Sequence, residues 1–420
     1  MVDDQNLAPV AIDHFPPLGA TMAEVEAMLD GLRAQDPDVR RGRFGMFSLR
    51  GNADIQDVAH RGYERFFSYN GLFARMLPSI GLMQQELLSG WASLLSTTPE
   101  CGVLTSGGTD SLFNAVHSIR EWAREHRPGV EPEIIAPFSA HASFTKSCHY
   151  LGVRLVRVPL DGEYRVDLEA MEAAITDRTV GLIASAPAWP HGVYDPIGKV
   201  AALARKRDLW LHVDACVGGC LTPFVRELGY AVPEFAFEHE GVCSVSLDLH
   251  KYGYAPKPCS ALFYADEERR RYQGFATEEW SNGPYKTDAF VGSRPGGAVA
   301  GAWAVMRFLG HEGYLRTAQR TMSVRDQILA AIEQIPELHS VGSELSLVTI
   351  GSAELDIKVV GQGLASRGWS LFGVRHPELL HLTCDAVDDE LVAEFIADLV
   401  DVTGRVSAGE LNERGDLRYT

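Results

Sequence analysis

Lys251 closes the run Ser244-Val245-Ser246-Leu247-Asp248-Leu249-His250-Lys251, an apolar, β-prone stretch that stops on a lysine beside a histidine. Tyr252-Gly253-Tyr254 follow. Upstream, Trp210-Leu211-His212-Val213-Asp214-Ala215 is a second short apolar run that ends on a carboxylate. Further upstream, Thr105-Ser106-Gly107-Gly108-Thr109-Asp110 reads as a glycine-rich turn opening a helix. A desolvated amine can condense with a carbonyl group. A carboxylate can hold a ring nitrogen protonated. Backbone amides at a glycine turn can cradle a phosphate. Pyridoxal 5′-phosphate (PLP) needs those three things from a protein.

Each signal has a plainer reading beside it. Gly107 and Gly108 either admit an anion to the helix start, with Thr109 adding a hydroxyl, or simply make a tight strand-to-helix turn. His141, in Ser139-Ala140-His141-Ala142-Ser143-Phe144, either lies flat on a pyridine ring or begins a helix with no further role. Asp214 stands where ligands bind in parallel sheets, or it caps a helix. Lys251 is expected to be buried near His250 and the cofactor, which lowers an amine's pKa and favours its free form. His250 is placed for the cofactor phosphate. The order of these features and their sheet-edge placement are more specific than any one of them.

The elements that must position them alternate. Strands are expected over 102–105, 133–136, 153–158, 180–184, 209–213, 241–246 and 260–264, with amphipathic helices between most of them. Apolar strands without polar alternation indicate a mainly parallel sheet covered by helices on both faces. The expected fold is therefore α/β. The chain divides into an N-terminal arm or cap (1–77), a large PLP-binding domain (78–313), a smaller C-terminal α+β domain (314–406) and a tail (407–420). The arm contains one amphipathic stretch, Met22 to Leu32.

The composition sets bounds on function. A net charge of −18 over 420 residues argues against nucleic acid or an anionic membrane as partner. No apolar run is long enough for a membrane helix, and the acidic start Met1-Val2-Asp3-Asp4 is no secretory signal. The seven cysteines show neither CxxC spacing nor zinc-site spacing, so no metal is expected. Buried free thiols in a reducing cytoplasm are the simplest reading.

At these residues the chain resembles the PLP-dependent group II decarboxylase superfamily of fold type I, and most of all its sphingosine-1-phosphate lyase branch. The similarity runs from about residue 42 to 400. It is carried by Leu104–Ser111, Ala136–Phe144, Pro190–Pro196, His212–Cys216, Gly292–Gly297 and, most strongly, His250-Lys251-Tyr252-Gly253-Tyr254-Ala255-Pro256-Lys257. The resemblance implies a seven-stranded-type sheet and a role for each matching position. Lys251 carries the cofactor, Asp214 meets its ring nitrogen, His141 stacks on one face and Ala215 or Cys216 on the other. Gly108, Thr109 and His250 bind its phosphate. Ser293 reaches that phosphate from a neighbouring subunit, which implies a homodimer with shared active sites. Lys257 matches a lysine that helps hold a substrate phosphate.

The chain departs from the branch at two places. The lyases' Asn-Pro-Leu-His run is Asn70-Gly71-Leu72-Phe73 here, so an apolar ring replaces a phosphate-binding histidine. An upstream lyase tyrosine falls near Phe47, Ser48 or Leu49, where no tyrosine stands. Arg75 can compensate, or the substrate carries no phosphate. The expected activity is retro-aldol carbon–carbon cleavage of a β-hydroxy amine or amino acid. Decarboxylation of an amino acid and synthetic carbon–carbon bond formation are the alternatives on the same scaffold. A rival of another class is a non-catalytic PLP-binding protein, which the complete Lys251, Asp214 and His141 set disfavours.

Overall fold

The computed structural model describes residues 15–16, 18–36 and 49–415. Positions Phe47 and Ser48 lie outside the described residues. Three helices, α1 (Met22–Arg33), α2 (Ala53–Arg65) and α3 (Pro78–Leu94), precede the alternating region. That region runs β1 (Gly102–Thr105), α4 (Gly108–His126), β2 (Glu133–Pro137), α5 (Ala142–Leu151), β3 (Arg154–Val158), α6 (Leu168–Ala173) and β4 (Thr179–Ser185). It continues with α7 (Ile197–Lys206), β5 (Trp210–Asp214), α8 (Thr222–Glu227), β6 (Val242–Leu247), β7 (Ser260–Tyr264) and α9 (Glu267–Arg270). A small hairpin, β8 (Phe275–Thr277) and β9 (Tyr285–Thr287), leads into α10 (Gly296–Glu333). The C-terminal part holds β10 (Leu347–Ile350), α11 (Ile357–Ala365), β11 (Phe372–Arg375), β12 (Glu378–Thr383) and α12 (Asp389–Ser407).

The expected α/β architecture is present. The main sheet has seven strands in the order β1-β7-β6-β5-β4-β2-β3. Its strands from β3 through β6 pair parallel, and β7 runs antiparallel to both its neighbours. Successive side chains of a strand point to opposite faces. Ile134 and Ala136 of β2 accordingly enter one apolar layer while Ile135 enters the other. Ile183 of β4 likewise parts from Leu182 and Ala184. Both faces are buried, which is why these strands read as continuous apolar runs.

A third apolar cluster, from Val324 to Val402, stands apart from these two layers. It is built on the three-stranded sheet β10-β12-β11 and the helices around it. The sequence suggests two helices, 297–309 and 314–334; the structure runs them as α10 with a break at Gly310, where φ is 54°. Only glycine takes such a backbone readily. Helix α3 and strand β11 were not foreseen.

Candidate active site

The side chains of the site lie at or just past the carboxyl ends of β1, β2, β5 and β6. Asp214 ends β5, and β6 beside it runs on into Asp248, His250 and Lys251. The loop after β1 opens α4, and His141 stands just before α5. These residues meet in one cavity. Gly108, Thr109, His141, Asp214, Cys216, His250 and Lys251 all line it, with Asp248 and Trp189.

The start of α4 is open. Gly107 has φ 127°, and no side chain caps the helix. The acidic residue of its own first turn is turned away: Asp110 accepts from the backbone N–H of Ser106 at 2.8 Å and from its hydroxyl at 3.0 Å. A Cβ built on Gly108 would lie 2.8 Å and 2.9 Å from the two Asp248 carboxylate oxygens. Glycine is therefore required there by close approach. Free N–H groups at a helix N-terminus make an anion site.

His141 caps α5, its Nδ1 accepting from the Ser143 N–H at 3.2 Å. In the neutral ring the proton then sits on Nε2. Burial favours that neutral ring and lowers its pKa, with Asp214 pulling the other way. The Ser143 hydroxyl lies 2.9 Å from His141 Nδ1 and 3.0 Å from the Thr109 hydroxyl, so it ties the imidazole to the glycine turn. Asp214 is buried, and its Oδ1 accepts from the Cys216 N–H at 3.1 Å.

Lys251 corrects one expectation. Burial by itself lowers an ammonium's pKa, but the Asp248 carboxylate outweighs it and holds Lys251 above the ordinary lysine range. Lys251 Nζ is 3.0 Å from Asp248 Oδ2. Asp248 also accepts from the Ser260 hydroxyl at 2.5 Å, and His250 Nε2 lies 3.7 Å away. Sequence reasoning missed Asp248, although the signal was there. A carboxylate inside an apolar strand run is buried and must be paired, and the lysine three positions on is the nearest cation in the sequence. Trp189, at the cavity's other wall, was also missed.

Other expected residues lie outside this cavity in a single chain. Ala215 is buried beneath it and does not line it, so of the two ring-face candidates only Cys216 is exposed to it. Ser293 is on the surface, 3.0 Å from the Asn70 amide nitrogen. The Asn70 carbonyl oxygen accepts from the N–H groups of Leu72 and Arg294. Phe73, Arg75 and Lys257 are exposed. None of Asn70, Phe73, Arg75 and Lys257 lines the Lys251 cavity.

The donor set suits PLP. It combines an amine, a buried carboxylate on the neighbouring strand, a neutral imidazole and an uncapped helix start whose glycine tolerates no side chain. Residues 78–350 match the model of the pyridoxal-dependent decarboxylase conserved domain. The chain belongs to this family. It is a PLP-dependent lyase. Over 389 residues it is 36% identical to sphingosine-1-phosphate lyase of Oryza sativa, covering 90% of this chain and 72% of that protein. The solved structure of the Burkholderia pseudomallei sphingosine-1-phosphate lyase superposes with a TM-score of 0.90 at 32% identity, covering 94% of each chain. The L-aspartate/L-glutamate decarboxylase of Pyrococcus horikoshii is 32% identical over 82% of this chain and 89% of its own.

Proposed function

We propose that this chain is a homodimeric carbon–carbon lyase that cleaves an unphosphorylated β-hydroxy amine or β-hydroxy amino acid. The convergence of Lys251, Asp214 and His141 beside the open start of α4 carries the reading. Similarity to the sphingosine-1-phosphate lyases favours retro-aldol cleavage.

PLP, when bound, supplies an aldehyde that takes up the substrate amine and a ring that accepts the electron pair of the broken bond. The residues do the rest. Gly108, Thr109 and His250 would bind the phosphate, and His141 and Cys216 would flank the ring. Asp214 keeps a proton on the ring nitrogen. Lys251 Nζ would hold the cofactor, and its amine, when free, would be the base at hand. The substrate's β-hydroxyl loses its proton, its Cα–Cβ bond breaks and an aldehyde leaves. A proton returns to Cα, so the products together contain the atoms of the substrate.

The surface around Ser293 supports the dimer. Phe290 near Ser293 in the chain, and Phe67 and Phe73 near Asn70, which bonds Ser293, are exposed, an apolar display that suits a partner subunit. In that arrangement Ser293 completes the phosphate shell of the partner's site. A cytoplasmic location fits seven buried free cysteines. Among the described residues no helix is long and apolar enough to cross a membrane.

The decarboxylase similarity supports a second reading, loss of carbon dioxide from an amino acid. Incubating the PLP-loaded enzyme with β-hydroxy amino acids and with simple amino acids separates the two. Aldehyde release supports the lyase; carbon dioxide release without aldehyde replaces it with the decarboxylase.

A further inference from the structure

Ser143 is buried, and among the described residues its hydroxyl has two partners. His141 Nδ1 lies 2.9 Å from it, and the Thr109 hydroxyl lies 3.0 Å from it. Thr109 stands in the first turn of α4, is exposed and lines the Lys251 cavity. An anion at the open start of that helix therefore meets Thr109 first, and behind it Ser143 and His141 in line.

The direction of these contacts follows from their protons. His141 Nδ1 already accepts from the Ser143 N–H at 3.2 Å, so it offers a lone pair and no proton. A hydroxyl has one proton to give and can accept as well. For the 2.9 Å contact to be a hydrogen bond, the Ser143 proton must point at His141. For the 3.0 Å contact to be one, the Thr109 proton must then point at Ser143. Without a ligand the line runs one way, Thr109 to Ser143 to His141, and both hydroxyl protons are committed.

A phosphate changes this balance. It brings strong acceptor oxygens, so Thr109 can bind it only by turning its proton away from Ser143. Three contacts then share two protons: phosphate with Thr109, Thr109 with Ser143, and Ser143 with His141. Two hydroxyl oxygens 3.0 Å apart repel when no proton lies between them. His141 Nδ1, by contrast, keeps the backbone N–H in either case. The Ser143 proton therefore turns from His141 to Thr109.

We propose that Ser143 is a positioning residue that couples the cofactor's phosphate to His141, holding the imidazole through its hydroxyl and releasing it as the phosphate takes the Thr109 proton. The assignment rests on the reading that the phosphate lies at the start of α4 against Thr109.

The test uses the cofactor-free enzyme and sulfate, a tetrahedral anion with no proton to give at neutral pH, its dissociation constant measured by calorimetry. In the unaltered enzyme sulfate must break the bond from Thr109 to Ser143. Ser143→Ala removes that bond beforehand and leaves the backbone N–H on His141. The variant should bind sulfate tighter, by about 3-fold or more, the worth of one neutral hydrogen bond. Loss of a merely structural hydroxyl would weaken binding instead. Ser143→Thr, which keeps a hydroxyl, should return the constant to its original value. In a Thr109→Val background the same Ser143→Ala change should gain nothing, because no hydroxyl proton is left to release. Should Ser143→Ala fold poorly, Ser143→Cys, whose thiol accepts only weakly, should move the constant in the same direction. Equal or weaker binding in Ser143→Ala, or a gain that persists without the Thr109 hydroxyl, overturns the coupling and leaves the anion site standing. If sulfate binds no form of the enzyme, or PLP fails to displace it, the placement of the phosphate at α4 fails and this assignment with it.

Discussion

Lys251 Nζ and Asp248 Oδ2 form a buried ion pair 3.0 Å long, three residues apart at the end of β6. The pair fixes the protonation of the cofactor-free enzyme. Lys251 is held above its ordinary value by Asp248 against the opposing effect of burial, and Asp248 is held below its own by Lys251 and His250, again against burial. The raised lysine contributes stability that is complete below its unfolded pKa of about 10.4 and lost as pH rises through the folded value. The lowered carboxylate contributes stability that is complete above about 3.9 and lost as pH falls through its folded value. Neutral pH lies inside both windows, so Lys251 awaits the cofactor as an ammonium.

Asp248→Asn follows from this. With the carboxylate gone, the largest opposition to burial is lost, Cys216 and Asp214 alone remaining against it, and the balance moves toward the neutral amine. The pH profile of PLP capture, followed by the growth of visible absorbance, should move to lower pH. The cofactor-free variant should also lose stability at neutral pH, by up to about 3–5 kcal/mol because a buried partner is removed. An unchanged capture profile would separate Asp248 from Lys251 in function.

Lys251 is predicted to be the residue that carries the cofactor. Borohydride reduction of the loaded enzyme should fix PLP to one peptide, identified by mass spectrometry. Labelling of any peptide other than the one containing Lys251 would overturn the central assignment.

For Asp214→Asn the expectation is retained cofactor and lost turnover. The amide fills the same space and keeps an oxygen for the Cys216 N–H, but it cannot hold a proton on the ring nitrogen. Turnover should fall on the order of 10²–10³-fold, the range for removing one preorganised electrostatic group. Wild-type turnover would take Asp214 out of the mechanism.

The proposed sharing of active sites between two subunits makes a complementation prediction. Lys251→Ala and Ser293→Asp homodimers should each be inactive or nearly so. After unfolding and refolding together, half of the dimers are mixed, and each has one intact site of two. Activity should then approach about a quarter of wild type by the symmetry of the dimer. A fully active monomer in solution would contradict the arrangement.

Most residues of the Lys251 cavity were legible in the sequence because each part is local. An apolar run ending on Lys251, another ending on Asp214 and a glycine pair before a helix are patterns within ten residues. The parallel sheet followed from strands apolar on both faces. Asp248 was hidden by the strand reading, which asks which face a residue points to and not which residue it meets past the strand's end. Strand β11 was hidden because Gly373 weakens the strand signal of Phe372-Gly373-Val374-Arg375. The apolar chamber that shares His141 and Trp189 with the Lys251 cavity was hidden because its walls join chain segments far apart: His381 meets the carbonyl of Pro190 across 191 positions. No local pattern encodes that contact.

The last prediction concerns phosphate. In the lyases a histidine stands where this chain has Phe73, whose ring is 46% exposed. Asn70 has its oxygen occupied by two backbone N–H groups and its amide nitrogen on Ser293. Arg75 and Lys257 are exposed, and neither lines the Lys251 cavity. A phosphomonoester brings nearly two negative charges and three acceptor oxygens. Each charged hydrogen bond it lacks costs about 1.5–3 kcal/mol, and lysine offers only a flexible point charge. The enzyme should therefore act poorly on sphingosine 1-phosphate and prefer unphosphorylated β-hydroxy amines or amino acids. Side-by-side kcat/KM measurements decide it. Phe73→His should raise the value for the phosphorylated substrate without a matching rise for the others. Efficient cleavage of sphingosine 1-phosphate by the unaltered enzyme, lost in Arg75→Ala, would show instead that Arg75 has rebuilt the phosphate site.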